Sequence, residues 1–294
     1  MNTKQHRIDT KQHIDIVKKI MDVMMLLEVE NKMIKKNDSF KNGLGNALLM
    51  WIVGVSPIIL PVIYTVICYA INIDDKLSDI GMAVSTFLGG LLSIFVMKKE
   101  YQVDIKEYIR KPDTKTLILI IAGSIFYAIT AMYIIYQPLL VGETEMNAFM
   151  IVELVVFSTL APVGEELVFR FAMLTILLIT AKNNRFKIMF SIVMISVLWM
   201  AMHLSVYVPR CFEITFVGII LGFIYLKSKN VIYCIVSHIV LNAVTYTFAA
   251  LYHWFLEREY ILYISILLFL VSGVALSYKL CKSDCGKFDT ETNS

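Results

Sequence analysis

The run Ala161-Pro-Val-Gly-Glu165-Glu166-Leu-Val-Phe-Arg170 sets two adjacent carboxylates and a guanidinium in an otherwise apolar stretch. On an α-helix Glu166 and Arg170 are i,i+4 neighbours with the acid first, the better order for an ion pair. Glu165 points about 100° away and is left to face another element. Trp199 and His203 repeat the i,i+4 spacing inside Leu198-Trp-Met-Ala-Met-His203-Leu, and His238 and Asn242 repeat it inside Ser237-His238-Ile-Val-Leu-Asn242. Three segments thus each offer a polar ridge. A carboxylate, two imidazoles and a carboxamide are the parts that water-driven amide hydrolysis needs: a base for the water proton, a relay to the leaving amine, and donors for the oxyanion.

The elements that carry these ridges must lie in a bilayer. The chain has 294 residues, 58% of them hydrophobic and only 17% charged, with a mean hydropathy of +0.70. That is more apolar surface than one soluble core of this length can hide. Charged residues cluster between long apolar blocks, so the predicted fold is an all-α polytopic membrane protein. Ionisable groups in hydrocarbon are costly, and each needs a partner or a task. A net charge of +3 gives no footprint for a nucleic acid, and none is expected as a partner. The five cysteines include Cys68 and Cys234 inside apolar blocks, Cys211 at a block edge, and Cys281 and Cys285 in the polar tail. They show neither a CxxC pair nor finger spacing, so no disulfide framework or structural zinc site is indicated.

Crossing about 30 Å of hydrocarbon takes roughly 20 helical residues. Eight candidate spans meet that length, at about 46–72, 78–97, 116–140, 148–181, 188–208, 211–226, 231–256 and 261–280. The sixth is short and reads as re-entrant or tilted, and the fourth is long enough to hold a break near Pro162 and Gly164. Lysine and arginine follow the alternation that eight crossings require. The leader, the second connection (Lys98 to Lys115), Lys182 to Lys187, Lys227 with Lys229, and the tail are rich in them, while the opposing connections hold Lys76, Arg210 and Arg258. This places both termini in the cytosol. The use of Ile, Lys and Asn points to an AT-rich genome and a bacterial plasma membrane. The division expected is a leader at 1–45 with an amphipathic helix over Ile14 to Ile34, three spans at 46–147, a catalytic core at 148–256, a last span at 257–280, and a flexible tail at 281–294. No cleavable signal peptide is expected, because apolar sequence begins only near Asn46.

Glu-Glu-x-x-x-Arg, then aromatic-x-x-x-His, then His-x-x-x-Asn, in that order on successive membrane helices, resembles the CAAX-protease and bacteriocin-processing (CPBP, or Abi) family of intramembrane peptidases. The resemblance covers about 148 to 256. Trp199 stands where the family usually has Phe and keeps an aromatic packing role. The resemblance implies that Glu165 acts with His203 to activate water, that Arg170 holds Glu166, and that His238 and Asn242 stabilise the tetrahedral oxyanion. It implies peptide or membrane-protein substrates, which in eukaryotic relatives are prenylated CAAX C-termini and in bacterial relatives belong to peptide processing and bacteriocin defence. Glu165, His203 and His238 could together ligate zinc, although no His-Glu-x-x-His spacing is present.

Competing readings attach to the same residues. Glu166 and Arg170 serve equally well as an intrahelical lock, and either histidine taken alone reads as a satisfied core residue. Glu153 lies about 120° around the helix from Glu165 and off its ridge, and His253 lies near the outer end of its span. A non-catalytic immunity or peptide-binding protein of the same fold is the alternative to an enzyme. A proton-coupled transporter would show inverted repeats, and none is visible. At about 1.5 Å per residue, His203 is roughly 24 Å and His238 roughly 12 Å from the inner boundary, so tilt or a break must bring them level.

Overall fold

In the computed structural model the described residues are 75–99, 101–136, 148–181, 184–203, 207–250, 258 and 260–283. The predicted first span, the leader with its amphipathic helix, His253 and most of the tail lie outside them. Each of the other seven predicted spans falls on a helix. These are α1 (Asp75–Lys99), α3 (Thr114–Ala131, extended by a π turn over Met132–Tyr136), α4 (Ala148–Glu166) continued by a π segment (Leu167–Leu174) and α5 (Thr175–Ala181), α6 (Arg185–Met202), α7 (Val208–Ser228), α8 (Val231–Ala250) and α9 (Tyr260–Ser283). A short α2 (Ile105–Tyr108) lies between α1 and α3. No strand occurs among the described residues. Six of the helices are long and apolar enough to cross a membrane. The seventh run, α4 through α5, carries Glu153, Glu165 and Glu166 and holds most of the chemistry. Side chains such as Phe95, Leu267 and Val274 are exposed on the outer helix faces, as expected where the solvent is lipid.

Three helix starts are written in polar residues. Asp104, Asp113 and Asn184 occupy N-cap positions, and their side chains accept from the backbone N–H groups of Lys106, Thr116 and Lys187, satisfying donors that a helix start leaves open. Lys229, at φ 48°, ends α7 in the left-handed conformation and its N–H reaches the Tyr225 carbonyl, closing a two-residue turn into α8. This turn is bonded to the segment before α3. Arg110 Nη2 donates to the Ser228 carbonyl at 2.6 Å, Asn230 Nδ2 to the Arg110 carbonyl at 2.9 Å, and the Asp113 N–H to the Tyr233 hydroxyl at 2.6 Å.

Small residues decide how closely the helices meet. A Cβ on Gly164 would lie 2.3 Å from the Thr86 carbonyl oxygen, and one on Gly90 would lie 2.7 Å from Gly164 Cα. Helices α1 and α4 therefore touch backbone to backbone, just before the paired carboxylates. Gly218 and Gly222 play the same part against Ser196 and Ile192, drawing α7 onto α6. This is the close approach that small residues allow where dispersion, not water exclusion, drives helix association.

Several boundaries differ from expectation, each for a physical reason. The break expected near Pro162 and Gly164 is displaced: α4 runs through Pro162 to Glu166, and the irregularity is the π segment that follows. Pro162 gives up one backbone bond without ending the helix. From Leu167 to Leu174 every residue but Met173 is buried, so neighbours on all sides hold the wider turn. The sixth predicted span is a full 21-residue helix, not a short re-entrant one, because Pro209 is tolerated in the first turn and Lys227 in the last. The fifth span ends at Met202, with His203 as its C-cap, six residues before the expected end.

Candidate active site

Glu166 is fully buried at the junction of α4 and the π segment. Its Oε1 accepts from Arg170 Nη1 at 2.9 Å and from His238 Nδ1 at 2.9 Å. The pairing of Glu166 with Arg170 is the one the i,i+4 spacing predicted. The contact with His238, from α8, joins the first motif to the third. Arg170 is also buried, and its guanidinium lies over the Trp199 indole, 4.4 Å from the ring centroid. A desolvated cation in that place gains both from the carboxylate and from the ring quadrupole.

Glu165 faces away from this pair, as helix geometry requires, and is half-buried. Its Oε2 accepts from the Trp199 indole N–H at 2.6 Å. His203, also half-buried at the end of α6, has Nδ1 2.9 Å from the Trp199 carbonyl oxygen. A carbonyl cannot donate, so Nδ1 carries the hydrogen and Nε2 of the neutral ring is the acceptor. The rings of His203 and His238 both meet the Trp199 ring edge to face, at 5.0 and 5.3 Å between centroids. The large difference in axial depth that helix counting gives the two histidines is thus closed by one indole that reaches both. Asn242 lies one turn beyond His238 on α8, half-buried.

The structure brings Glu165, Glu166, Arg170, His203 and His238 around Trp199. It does not put His238 apart from Glu166, as an assignment of the histidine to the oxyanion alone would suggest. Trp199 itself is the residue whose part the sequence underrates. The signal was available: an indole N–H within hydrocarbon needs an acceptor, and the family's usual Phe does not. Thr175 adds a contact that no motif marks, its hydroxyl bonding the buried Tyr225 hydroxyl of α7 just past the π segment.

The zinc donor set Glu165, His203 and His238 does not converge in this arrangement. Among the described residues no three His, Cys, Asp or Glu side chains come together as metal ligands.

Residues 147–244 match the family model described as Type II CAAX prenyl endopeptidase Rce1-like. This segment is similar to the core of that family. It contains all three motifs and every side chain of the cluster around Trp199, while α1, α3 for its whole length, and α9 lie outside it. No curated protein and no solved structure matches the chain. The apolar helices make the chain an integral membrane protein, and the similarity to the endopeptidase family spans about a third of its 294 residues.

Proposed function

We propose that the chain hydrolyses peptide bonds of membrane-associated peptides or protein C-termini, with water activated by Glu165 and His203. The observation that supports this reading is that Trp199 touches all three motifs: its indole N–H donates to Glu165, its ring meets those of His203 and His238 edge to face, and the Arg170 guanidinium lies over it. Two carboxylates adjacent in sequence thereby acquire different work. Glu166 is a buried counter-ion, and Glu165 keeps one oxygen, Oε1, for a water molecule. His203 presents Nε2, the correct nitrogen to take a proton from that water or pass it to the leaving amine.

His238 and Asn242 then stabilise the oxyanion. The geometry adds a condition. With Nδ1 engaged by Glu166, Nε2 is the nitrogen His238 has left to turn to an oxyanion. Asn242 supplies a second donor one turn away. Glutamate-dependent hydrolysis of this kind draws on the chain's own residues at each step. Substrates would be lipid-anchored or membrane-embedded segments, the chemistry named in the family description, presented from the bilayer. Both termini face the cytosol, following the distribution of lysine and arginine.

The experiment is cleavage by purified protein in proteoliposomes, with a comparison of membrane peptidomes to find substrates. Glu165→Ala and His203→Ala are each expected to abolish cleavage while insertion and thermal stability persist. Full activity in either variant would reject the mechanism. Retention of the cellular phenotype in both would transfer the assignment to a binding or immunity protein.

A further inference from the structure

A helical threonine commonly turns its hydroxyl to the carbonyl four residues back. Thr86, Thr130, Thr159, Thr215 and Thr247 all do so in this chain. Thr175 does not. Its hydroxyl is directed at the Arg170 carbonyl, five residues back and 3.5 Å away, and it bonds the Tyr225 hydroxyl of α7 at 2.5 Å. With the threonine hydrogen turned to Arg170, the tyrosine hydroxyl is the donor of the shorter bond. The Thr175 N–H, which a continued π turn would send to the Arg170 carbonyl, goes to Ala172 instead. At the exit of the π segment the side chain thus stands where the main-chain donor would be.

Thr175 and Tyr225 are both buried, and a ring from α2 braces them. Tyr108 stacks on Tyr225 at 6.3 Å between centroids and meets Phe171 edge-on at 6.0 Å. Phe171 follows Arg170 in the π segment. Two elements therefore grip the wide turn, α7 through a hydroxyl and α2 through a ring. At the other face of that turn the Arg170 guanidinium lies over Trp199, whose N–H donates to Glu165. Contacts run without a gap from Tyr225 through Thr175, Arg170 and Trp199 to the acid.

We propose that Tyr225 is a positioning residue of the hydrolytic site. Its bond to Thr175 holds the π turn open, which fixes Arg170 over the indole and, through the indole N–H, the Glu165 carboxylate. The functional part rests on the hydrolysis reading above, whereas the placement of Arg170 is measurable without a substrate. Loss of the tyrosine hydroxyl frees Thr175 to take the Phe171 carbonyl, four residues back, as the other threonines do. A turn closed over four residues in place of five changes the helix register and rotates Arg170 off Trp199.

The assay uses full-length protein in detergent with Trp51 and Trp254 replaced by Phe, so that of the three tryptophans Trp199 alone emits. A cation held against the ring quadrupole perturbs that emission. The double variant Glu166→Gln with Arg170→Met removes both buried charges together and supplies the spectrum of the indole without its cation. Tyr225→Phe and Thr175→Val are expected to move the emission maximum more than half of the way to that reference. Thr175→Ser keeps the hydroxyl and should stay with wild type. Should Tyr225→Phe not fold, Thr175→Val reads the same bond. Wild-type emission in folded Tyr225→Phe or Thr175→Val overturns the proposal, as does a Thr175→Ser shift equal to that of Thr175→Val. In proteoliposomes Tyr225→Phe should lower kcat by up to about tenfold with KM unchanged, and full activity beside a shifted emission refutes the positioning role. A wild type that cleaves nothing, beside that same shift, refutes the hydrolysis and leaves the placement of Arg170 standing.

Discussion

Replacing Trp199 by Phe removes one N–H from the site and leaves nearly everything else. The six-membered ring keeps the contacts with His203, His238 and the Arg170 guanidinium, which lie at 5.0, 5.3 and 4.4 Å from the indole. What disappears is the 2.6 Å hydrogen bond to Glu165 Oε2. A hydrogen bond to a charged group is worth about 1.5–3 kcal/mol, and each ~1.4 kcal/mol lost from the transition state is tenfold in rate. Because Glu165 is only half-buried, water replaces part of the lost bond, and the lower end of that range applies. A loss of about tenfold in kcat with KM nearly unchanged is therefore expected, since the carboxylate is mispositioned while the substrate surface is intact. Trp199→Ala should lose far more, because it also strips the cation–π contact and opens a cavity costing about 3–5 kcal/mol in stability. The assay is cleavage of a membrane-anchored peptide in proteoliposomes over a range of substrate concentration. A Phe variant within twofold of wild type, beside an inactive Glu165→Ala, would refute the positioning role of the indole N–H. A rise in KM alone would refute it too, by moving the residue to substrate binding.

Arg170→Ala leaves Glu166 buried beside one remaining partner and should destabilise the protein by about 3–5 kcal/mol; Glu166→Gln keeps an acceptor for both neighbours and should cost less, and a thermal melt in detergent ranks the two. Gly164→Ala drives a methyl group into the Thr86 backbone, so a loss of about 1–3 kcal/mol or more is expected from overpacking, read from the same melt; an unchanged midpoint would contradict the backbone contact between α1 and α4. Asp113 titrates below the usual carboxylate range, chiefly through its bond to Lys279 and then through the side chain and N–H of Thr116. A depressed folded pKa means stability that is complete above the ordinary value of 3.8 and lost as pH falls through the lower folded value. Asp113→Asn should accordingly lower the melting midpoint at pH 7, and the gap to wild type should narrow as the pH drops below 3.8; a gap that widens in acid would reverse the assignment.

The helices were legible because lipid imposes a simple rule, that a span must be long, apolar and internally bonded. Seven predicted spans meet helices on that rule alone. The Glu166 and Arg170 pair was legible for a similar reason, since i,i+4 spacing within one helix fixes their meeting. What spacing cannot give is contact between helices. The bond from His238 to Glu166 spans 72 positions in the chain and that from Trp199 to Glu165 spans 34, and both depend on tilt and rotation that no motif encodes. The π segment was hidden for another reason. Its residues are ordinary helix formers, and the wide turn comes from burial on every side, while the sequence's visible irregularity, Pro162, draws attention a turn too early.

The contact between Gly90 and Gly164 bears on how much of this molecule its chemistry requires. Main chain rests on main chain there, so the depth of the two acids is set by peptide groups and is indifferent to side-chain drift around them. Helix α1 contributes no reactive group, yet it is the anvil against which residues 164–166 are placed. A fragment trimmed to 147–244 would keep each motif and forfeit the surface that gives those carboxylates their address.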